Sequence, residues 1–378
     1  MKYAKIVWDG KKLEVPSDMG CPKENQLKGS DLDNLTELAG RVCYDSLGSG
    51  RDSVEYHKHI IEVGHGSVQE HPNLTFAVAL DVPTYLGTIE ALINRPGLWI
   101  CKEVPTIITT NTSAAFNLRI TANMRTIREW FEFPPLNKLS IILGQQIQYL
   151  AKQKAPLLFQ DLSPADTGMP LQVVEPKYED EMWVSVFFTN VSRGFSHELV
   201  RHKFRTAVSQ RSTRYVDEGE SPWCWHPLIL NNIDLDAPIQ VDEEGVENWC
   251  NYSLNELREL CQDGYRALVD KLQAKLISEG SDKFTARKQA RGAARGLLGN
   301  ALNTELIFSA SLAQWKWIFH LRAAAPADAE IRVVMNEVYE QFLERFPNHF
   351  KGYEKVECPD KIGYGLKEPE IMTGDSQG

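Results

Sequence analysis

The sequence predicts an α+β protein of two tandem, related units, each with a mixed or antiparallel sheet and packed helices. Three observations predict it. The chain has 378 residues, more than a typical single domain holds. Strand-like alternation and helix-like periodicity follow one another in a similar order on both sides of its middle. Between them, "QDLSPADTGMPLQVVEPKYEDE" (160–181) is rich in Pro and acids and has little period, as a connector does. A boundary near residue 170 gives units over 1–169 and 170–360. The remaining 361–378 lack an apolar period and are expected to fray.

In the first unit, "SDLDNLTELAGRVCYDS" reads as a helix capped by Ser30 or Asp31, with Leu35, Leu38 and Val42 on one face. "SVEYHKHIIEVG" is a second helix, stopped by Gly64. "NLTFAVALDV" alternates and is expected to be a strand. "EVPTIITTNTS" is a β-branched strand that feeds a helix over "AAFNLRITANMRTIREWF". "LSIILGQQIQYLAKQKAPLLF" gives another helix, ending before Pro156. In the second unit, the strand "MWVSVFFTNV" leads into a helix through "SRGFSHELVRHKF", and a polar loop runs past Tyr215. Helices follow over "SLNELRELCQDGYRALVDKLQAKLISEG" and "DKFTARKQARGAARGLLG", and "TELIFSASLAQWKWIFHLR" with "DAEIRVVMNEVYEQFLERFPNHF" closes the fold. The stretch "IITTNTSAAFNLR" with "QQIQYLAKQKAPLLF" parallels "LIFSASLAQWKWIFHLR" with "NEVYEQFLERFPNHF", a strand, a helix and a second helix each time, which suggests two diverged copies of one unit.

Composition narrows the function. A formal net charge of -10 and a pI near 5.5 argue against nonspecific binding along a nucleic-acid polymer, which needs a broad basic face. No run reaches the roughly 18 to 20 apolar residues of a membrane span, and "MKYAKIVWDG" has no secretory h-region, so a cytoplasmic protein is expected. The seven Cys are scattered and never spaced CxxC, which fits neither a disulfide framework nor a zinc site. His65 and His71 flank Glu70, but nothing supplies a third ligand at metal spacing, so no metal is expected.

Against this acidic background, the fourteen residues Arg201 to Arg214 hold five Arg or Lys and one His, with no acid. On a helix, His197, Arg201 and Arg205 would share a face, beside Glu198 and His202. Guanidinium groups in a row bind phosphate or carboxylate, and Ser209, Gln210, Ser212 and Thr213 add donors suited to the edge of a heterocycle. A solvated basic surface is the bland alternative for this run and for "TARKQARGAARG"; packing is the bland alternative for Cys43, His65, His71, Trp223 and Trp225.

"RHKFRTAVSQRSTRY" resembles the signature of the flavin-dependent thymidylate synthases, in which Arg-His-Arg is followed by seven residues, Ser, one residue and Arg-Tyr. Lys203 departs from the third Arg, and eight residues separate it from Ser212. "RVCYDS" (41–46) and "GHGSVQEHPNLTFAV" (64–78) are similar to the family's N-terminal helix and its His-x-Ser/Thr-x-x-Glu-His segment; "NTSAAFN" is similar to its Asn pair; "ARGLLGN" and "FHLR" are similar to its nucleotide-holding Arg positions.

The resemblance implies FAD as cofactor, NADPH and 5,10-methylenetetrahydrofolate as cosubstrates, and one-carbon transfer to C5 of a dUMP-like pyrimidine nucleotide, a methyltransferase reaction. It implies that Arg201, His202, Ser212 and Arg322 are catalytic, with Ser212 touching the pyrimidine without acting as a covalent nucleophile. Glu198, Gln210, Arg211, Ser212, Arg214, Arg295 and Arg322 would bind substrate. Cys43, His65, Ser67, Glu70, Asn111, Asn117, Arg201, His202 and Lys203 would bind cofactor, with Arg205 assisting Lys203. Glu198 stands where the family often has Gln, which leaves room for a pyrimidine C5 hydroxymethylase; a noncatalytic nucleotide-binding descendant is a further alternative. Each unit lacks what the other keeps, since Ser311 and Trp317 stand where the second Asn pair would be. The family assembles its sites between subunits of a homotetramer, so a homodimer of this chain would form a pseudo-tetramer.

Overall fold

The computed structural model describes residues 3–16, 27–47, 50–81, 88–89, 92, 95–106, 115–134, 136–239 and 252–369. Its first half contains β1 (Ala4–Trp8), α1 (Asp31–Tyr44), α2 (Ser53–Glu62), a 3-10 helix (Gly66–Glu70), β2 (Asn73–Asp81), β3 (Leu98–Thr106), β4 (Ala115–Asn123), α3 (Met124–Arg128) and α4 (Lys138–Lys154). Then come β5 (Leu171–Val174), β6 (Trp183–Ser192), α5 (Arg193–Leu199), β7 (Thr206–Gln210), α6 (Pro227–Asn232), α7 (Leu254–Ser278), α8 (Lys283–Ala294), β8 (Asn303–Ser311), α9 (Leu312–Arg322), α10 (Ala329–Arg345), α11 (Pro347–Phe350), β9 (Glu354–Val356) and β10 (Gly365–Lys367). This is an α+β architecture.

Two antiparallel four-stranded sheets carry the fold, in the orders β1-β6-β8-β7 and β5-β2-β4-β3. Their plans coincide. Each has a central antiparallel pair, β6 with β8 or β2 with β4, and the strand lying between that pair in sequence flanks its second member. The fourth strand comes from the other half of the chain: β1 pairs with β6, and β5 pairs with β2. A boundary near residue 170 is therefore crossed by both edge strands, and the connector read over 160–181 contains β5.

The exchange follows from burial. In β1, Ile6 enters the core formed by β6, β8, α9 and α10, while Val7 and Trp8 enter the core beneath α1, α4 and the first sheet. Phe187 and Ile307 of the second sheet also face that first core. The second sheet is covered on both faces, which explains why "WVSVFFTNVS" reads as a nearly continuous apolar run rather than an alternating one.

Several sequence expectations are corrected. The segment from Ala115 to Asn123 is a strand; the helix begins only at Met124, where the Asn123 side chain accepts from Thr126 N–H. Leu118, Ile120 and Ala122 alternate inward, and pairing with both β2 and β3 overrides the helical reading. Ser311 at the end of β8 caps α9 in the same manner as Asn123 at the end of β4 caps α3. Asn117 lies inside β4, opposite Ala79 and Val104, and is no helix-start residue. Asn111 lies outside the described residues. The helix expected through Phe204 stops at Leu199, so His197, Arg201 and Arg205 share no helical face. At α1 the cap is Ser30, locked reciprocally with Asp33. In the expected fraying tail, β10 pairs with β9.

Candidate functional site

The 3-10 helix at Gly66–Glu70 sits where the two halves meet and directs its flanking residues into three environments. His65 turns toward a cavity of about 690 Å³ formed with α1, α2, α8 and Tyr215. Glu70 faces a cleft of about 420 Å³ shared with Lys203 and Arg205. His71 is completely buried against β7 and β8 of the second sheet.

The larger cavity is walled by aromatic rings and cations. Tyr44 stacks on His65 with ring centroids 5.4 Å apart, and its hydroxyl lies 2.8 Å from His65 Nδ1. Tyr215 meets Tyr44 edge-on at 4.9 Å, and Lys288 Nζ lies 4.9 Å from the Tyr215 ring centroid. Arg51 and His59 also line the space, and among the described residues no carboxylate does. Partial burial pushes the His65 pKa down, followed by the neighbouring charges of His59 and Lys288. Such a lining suits a flat, anionic ligand.

The smaller cleft mixes signs. Arg125 Nη1 donates to Glu70 Oε1 at 2.7 Å, and its Nε donates to Glu129 at 3.1 Å. Lys203 is exposed at the rim. Arg205, held in the left-handed region at φ 50°, pairs with Asp180. The expected partnership of Lys203 with Arg205 is thus one of position, because both line the same cleft.

The segment after β7 is held from both halves. Ser212 N–H donates to Cys43 O at 2.9 Å, and Arg211 reaches Glu218 at 3.4 Å and Asp45 at 3.6 Å. Burial pushes the Cys43 thiol up to about 11, which keeps it protonated and chemically quiet. Gln210 Nε2 donates to Ser196 Oγ at 2.8 Å and Thr304 Oγ1 at 3.1 Å. From α8, Arg291 Nη1 donates to Tyr215 O at 2.6 Å; just beyond it, Arg295 Nη1 donates to Thr213 Oγ1 at 3.4 Å. Arg214 is exposed beside Gly292.

Arg322 stands apart from these residues. Its Nη1 donates to Glu198 Oε2 at 2.6 Å and its Nε to His202 Nε2 at 3.1 Å. Burial, then the Arg322 charge, lowers the His202 pKa to about 4, while burial raises that of Glu198. Arg201, His202 and Lys203 therefore face three directions and form no single cationic fork. Arg201 is exposed, His202 lies against Arg322, and Lys203 faces Glu70's cleft. Ser67 is exposed on the 3-10 helix.

Residues 181–348 match the family model described as thymidylate synthase complementing protein, Thy1. That part of the chain is similar to the Thy1 family. The Thy1 region contains the basic segment, Arg295 and Arg322. The chain is 31% identical over 177 residues to the flavin-dependent thymidylate synthase of Mycobacterium tuberculosis, covering 47% of this chain and 64% of that protein. For the Mycolicibacterium vanbaalenii enzyme the identity is 32%, with the same coverage. The match thus spans less than two thirds of these relatives' length. Among solved structures, Helicobacter pylori ThyX complexed with FAD and dUMP aligns at TM-score 0.30 and 17% identity, over 60% of this chain and 89% of that one. The Streptomyces cacaoi UMP/dUMP methylase PolB bound with 5-Br dUMP aligns at 0.28 and 14%, over 55% and 79%. Scores this low carry no argument about the Thy1 region's fold.

Sequence reasoning missed several residues lining these spaces. Tyr44 and Tyr215 stood inside quoted motifs without a role, and Lys288 and Arg291 were submerged in a basic helix. Asn123, Arg125 and Glu129, which line the smaller cleft, were hidden by the misread strand.

Proposed function

We propose that the chain is a flavin-dependent thymidylate synthase-like methyltransferase that moves a one-carbon unit from 5,10-methylenetetrahydrofolate to C5 of dUMP, using FAD and NADPH in the cytoplasm. The observation that carries the reading is the meeting of both halves around the Thy1 signature: Ser212 is hydrogen-bonded to Cys43, and Lys203 and Arg205 share a cleft with Glu70. Support also comes from the flavin-dependent thymidylate synthases named above.

The residues present fit such ligands. Tyr44, His65 and Tyr215 offer aromatic surface, while Arg51, His59 and Lys288 offer charge to phosphate or carboxylate groups. Bound flavin would supply the hydride and one-carbon chemistry. The chain's own task is orientation and polarisation. Ser212, Arg214 and Arg295 would present donors to the nucleotide, with Gln210 and Arg211 holding their loop. Cys43, His65, Ser67 and Glu70 would form the first half's side of the flavin site, and Lys203 with Arg205 the second half's. Arg201 is exposed for contact with ligand or with a second chain.

The halves would be diverged copies of one unit, a reading supported by their coincident strand plans. A homodimer would then reproduce four units. Exposed Leu228, Leu230, Ile233 and Leu260 on and beside α6 and α7 suit such an interface. The test is direct. Purified protein should show flavin absorbance or take up added FAD, and incubation with dUMP, methylenetetrahydrofolate and NADPH should yield a nucleotide heavier by one methylene unit. Absence of both flavin uptake and product would reject the reading; a product carrying a hydroxymethyl group would reject the methyl-transfer step alone.

A further inference from the structure

His71 makes two hydrogen bonds across the junction of the halves. Nδ1 lies 2.7 Å from Ser309 Oγ on β8, and Nε2 lies 2.8 Å from Ser209 Oγ on β7. The chain of contacts continues at both ends. Ser309 Oγ is 2.6 Å from Ser185 Oγ on β6, and Ser209 lies beside the Cys43 thiol on α1. A buried neutral imidazole has one N–H and one lone pair, so it can donate to one serine and accept from the other.

The position of this bridge gives it a consequence. Among the described residues β7 is an edge strand with a ladder partner on one side only, β8. On other sides it is packed by α1 and the 3-10 helix, both from the first half. Three residues beyond Ser209, the Ser212 N–H donates to Cys43 O at 2.9 Å. The first half therefore grips Ser209 and Ser212 at successive points of the Thy1 signature. Between them, Arg211 N–H is fixed to Glu305 O at 2.8 Å within the second half.

We infer that His71 is a positioning residue: acting through Ser209, it holds the Ser209–Tyr215 segment in the conformation that presents Ser212 and Tyr215. The use of that segment in catalysis rests on the functional reading above, but the mechanical link can be measured without turnover. Hydrogen exchange of the amides in 206–216 is the readout, with the full chain and its thermal midpoint followed in parallel.

His71→Leu and Ser209→Ala should each speed exchange in 206–216 by about tenfold, the order expected when a buried hydrogen bond that closes a local unit is lost. Ser309→Ala cuts the other arm of the bridge and should lower the thermal midpoint while leaving that exchange near wild type. His71→Gln, which retains a donor and an acceptor, should restore much of the protection. If His71→Leu does not fold, the contrast between Ser209→Ala and Ser309→Ala decides. Equal effects of the two serine variants on 206–216, or exchange there unchanged in Ser209→Ala, would overturn the inference by reducing His71 to a general core contact. Either result is obtained whether or not the protein binds flavin.

Discussion

The Glu198 carboxylate occupies the Arg322 guanidinium at 2.6 Å, so the arginine expected to grip a nucleotide is already paired within its own half. Both side chains are partly exposed, and a pair of that kind contributes little to stability, about 1 kcal/mol or less. Its influence falls on ligand charge. Glu198→Gln keeps the shape, removes the anion and leaves Arg322 free to attract phosphate or a ring oxygen. The variant should bind dUMP roughly threefold to tenfold more tightly with little change in thermal midpoint, as removal of a nearby like charge does. Titration calorimetry on holo-protein measures this, and unchanged or weaker binding would refute the assignment of Glu198 as a charge block.

Acid should destabilise the fold through two buried histidines. The His202 pKa falls from an ordinary 6.5 to about 4, and that of His71 to about 3, with burial as the leading cause in both. These groups stay neutral when folded but take protons from near pH 6.5 downward when unfolded. The unfolded state thus binds more protons across the window, and stability falls as pH drops from about 6.5 toward 4 and, for His71, toward 3. Each contributes a slope of up to about 1.4 kcal/mol per pH unit within its window. Urea unfolding at stepped pH should show the decline, and His202→Gln should flatten it.

The shared cores predict cooperative unfolding. Ile6 and Val7 are neighbours on β1, yet they enter different cores, and Phe187 of β6 connects the second sheet to the first core. Ile6→Ala and Val7→Ala should each cost on the order of 2 to 4 kcal/mol, as truncation of a buried aliphatic side chain does. Both should shift one common transition followed by fluorescence and by far-ultraviolet circular dichroism. Two separated transitions, each moved by one variant only, would show that the halves unfold independently.

The contrast between what the sequence disclosed and what it hid has a physical basis. Ser212, Arg214, Glu70 and His65 were singled out by the resemblance, and the structure sets Ser212 against Cys43 and places Glu70 and His65 on two cavities. The partnership of Glu198 with Arg322 was not legible, because each was read toward a ligand and their approach is a tertiary fact across 124 residues. β4 misled because "AFNLRITAN" lies between apolar runs of both periods, although Leu118, Ile120 and Ala122 held the alternating signal. The edge-strand exchange was invisible locally. β1 finds β6 only because each half leaves one side of a central strand unpaired.

The cavity beneath Tyr215, with Arg51, His59 and Lys288 on its walls, gives the last prediction. Lys288 stands over the Tyr215 ring at 4.9 Å, on α8, while His65 and Arg51 line the cavity from the first half. Reversing one charge there changes the field a ligand meets without removing a core contact, since Lys288 is only half-buried. Lys288→Glu should therefore weaken binding of an anionic cosubstrate by about tenfold while leaving the thermal midpoint within a few degrees of wild type. Folate and NADPH, titrated separately by quenching of intrinsic fluorescence at two salt concentrations, distinguish the anion that uses the cavity. The affected ligand should also show the steeper loss of affinity with salt in the wild type, and that excess should diminish in the variant. Equal affinities for both ligands before and after the charge reversal would exclude the cavity from anion binding.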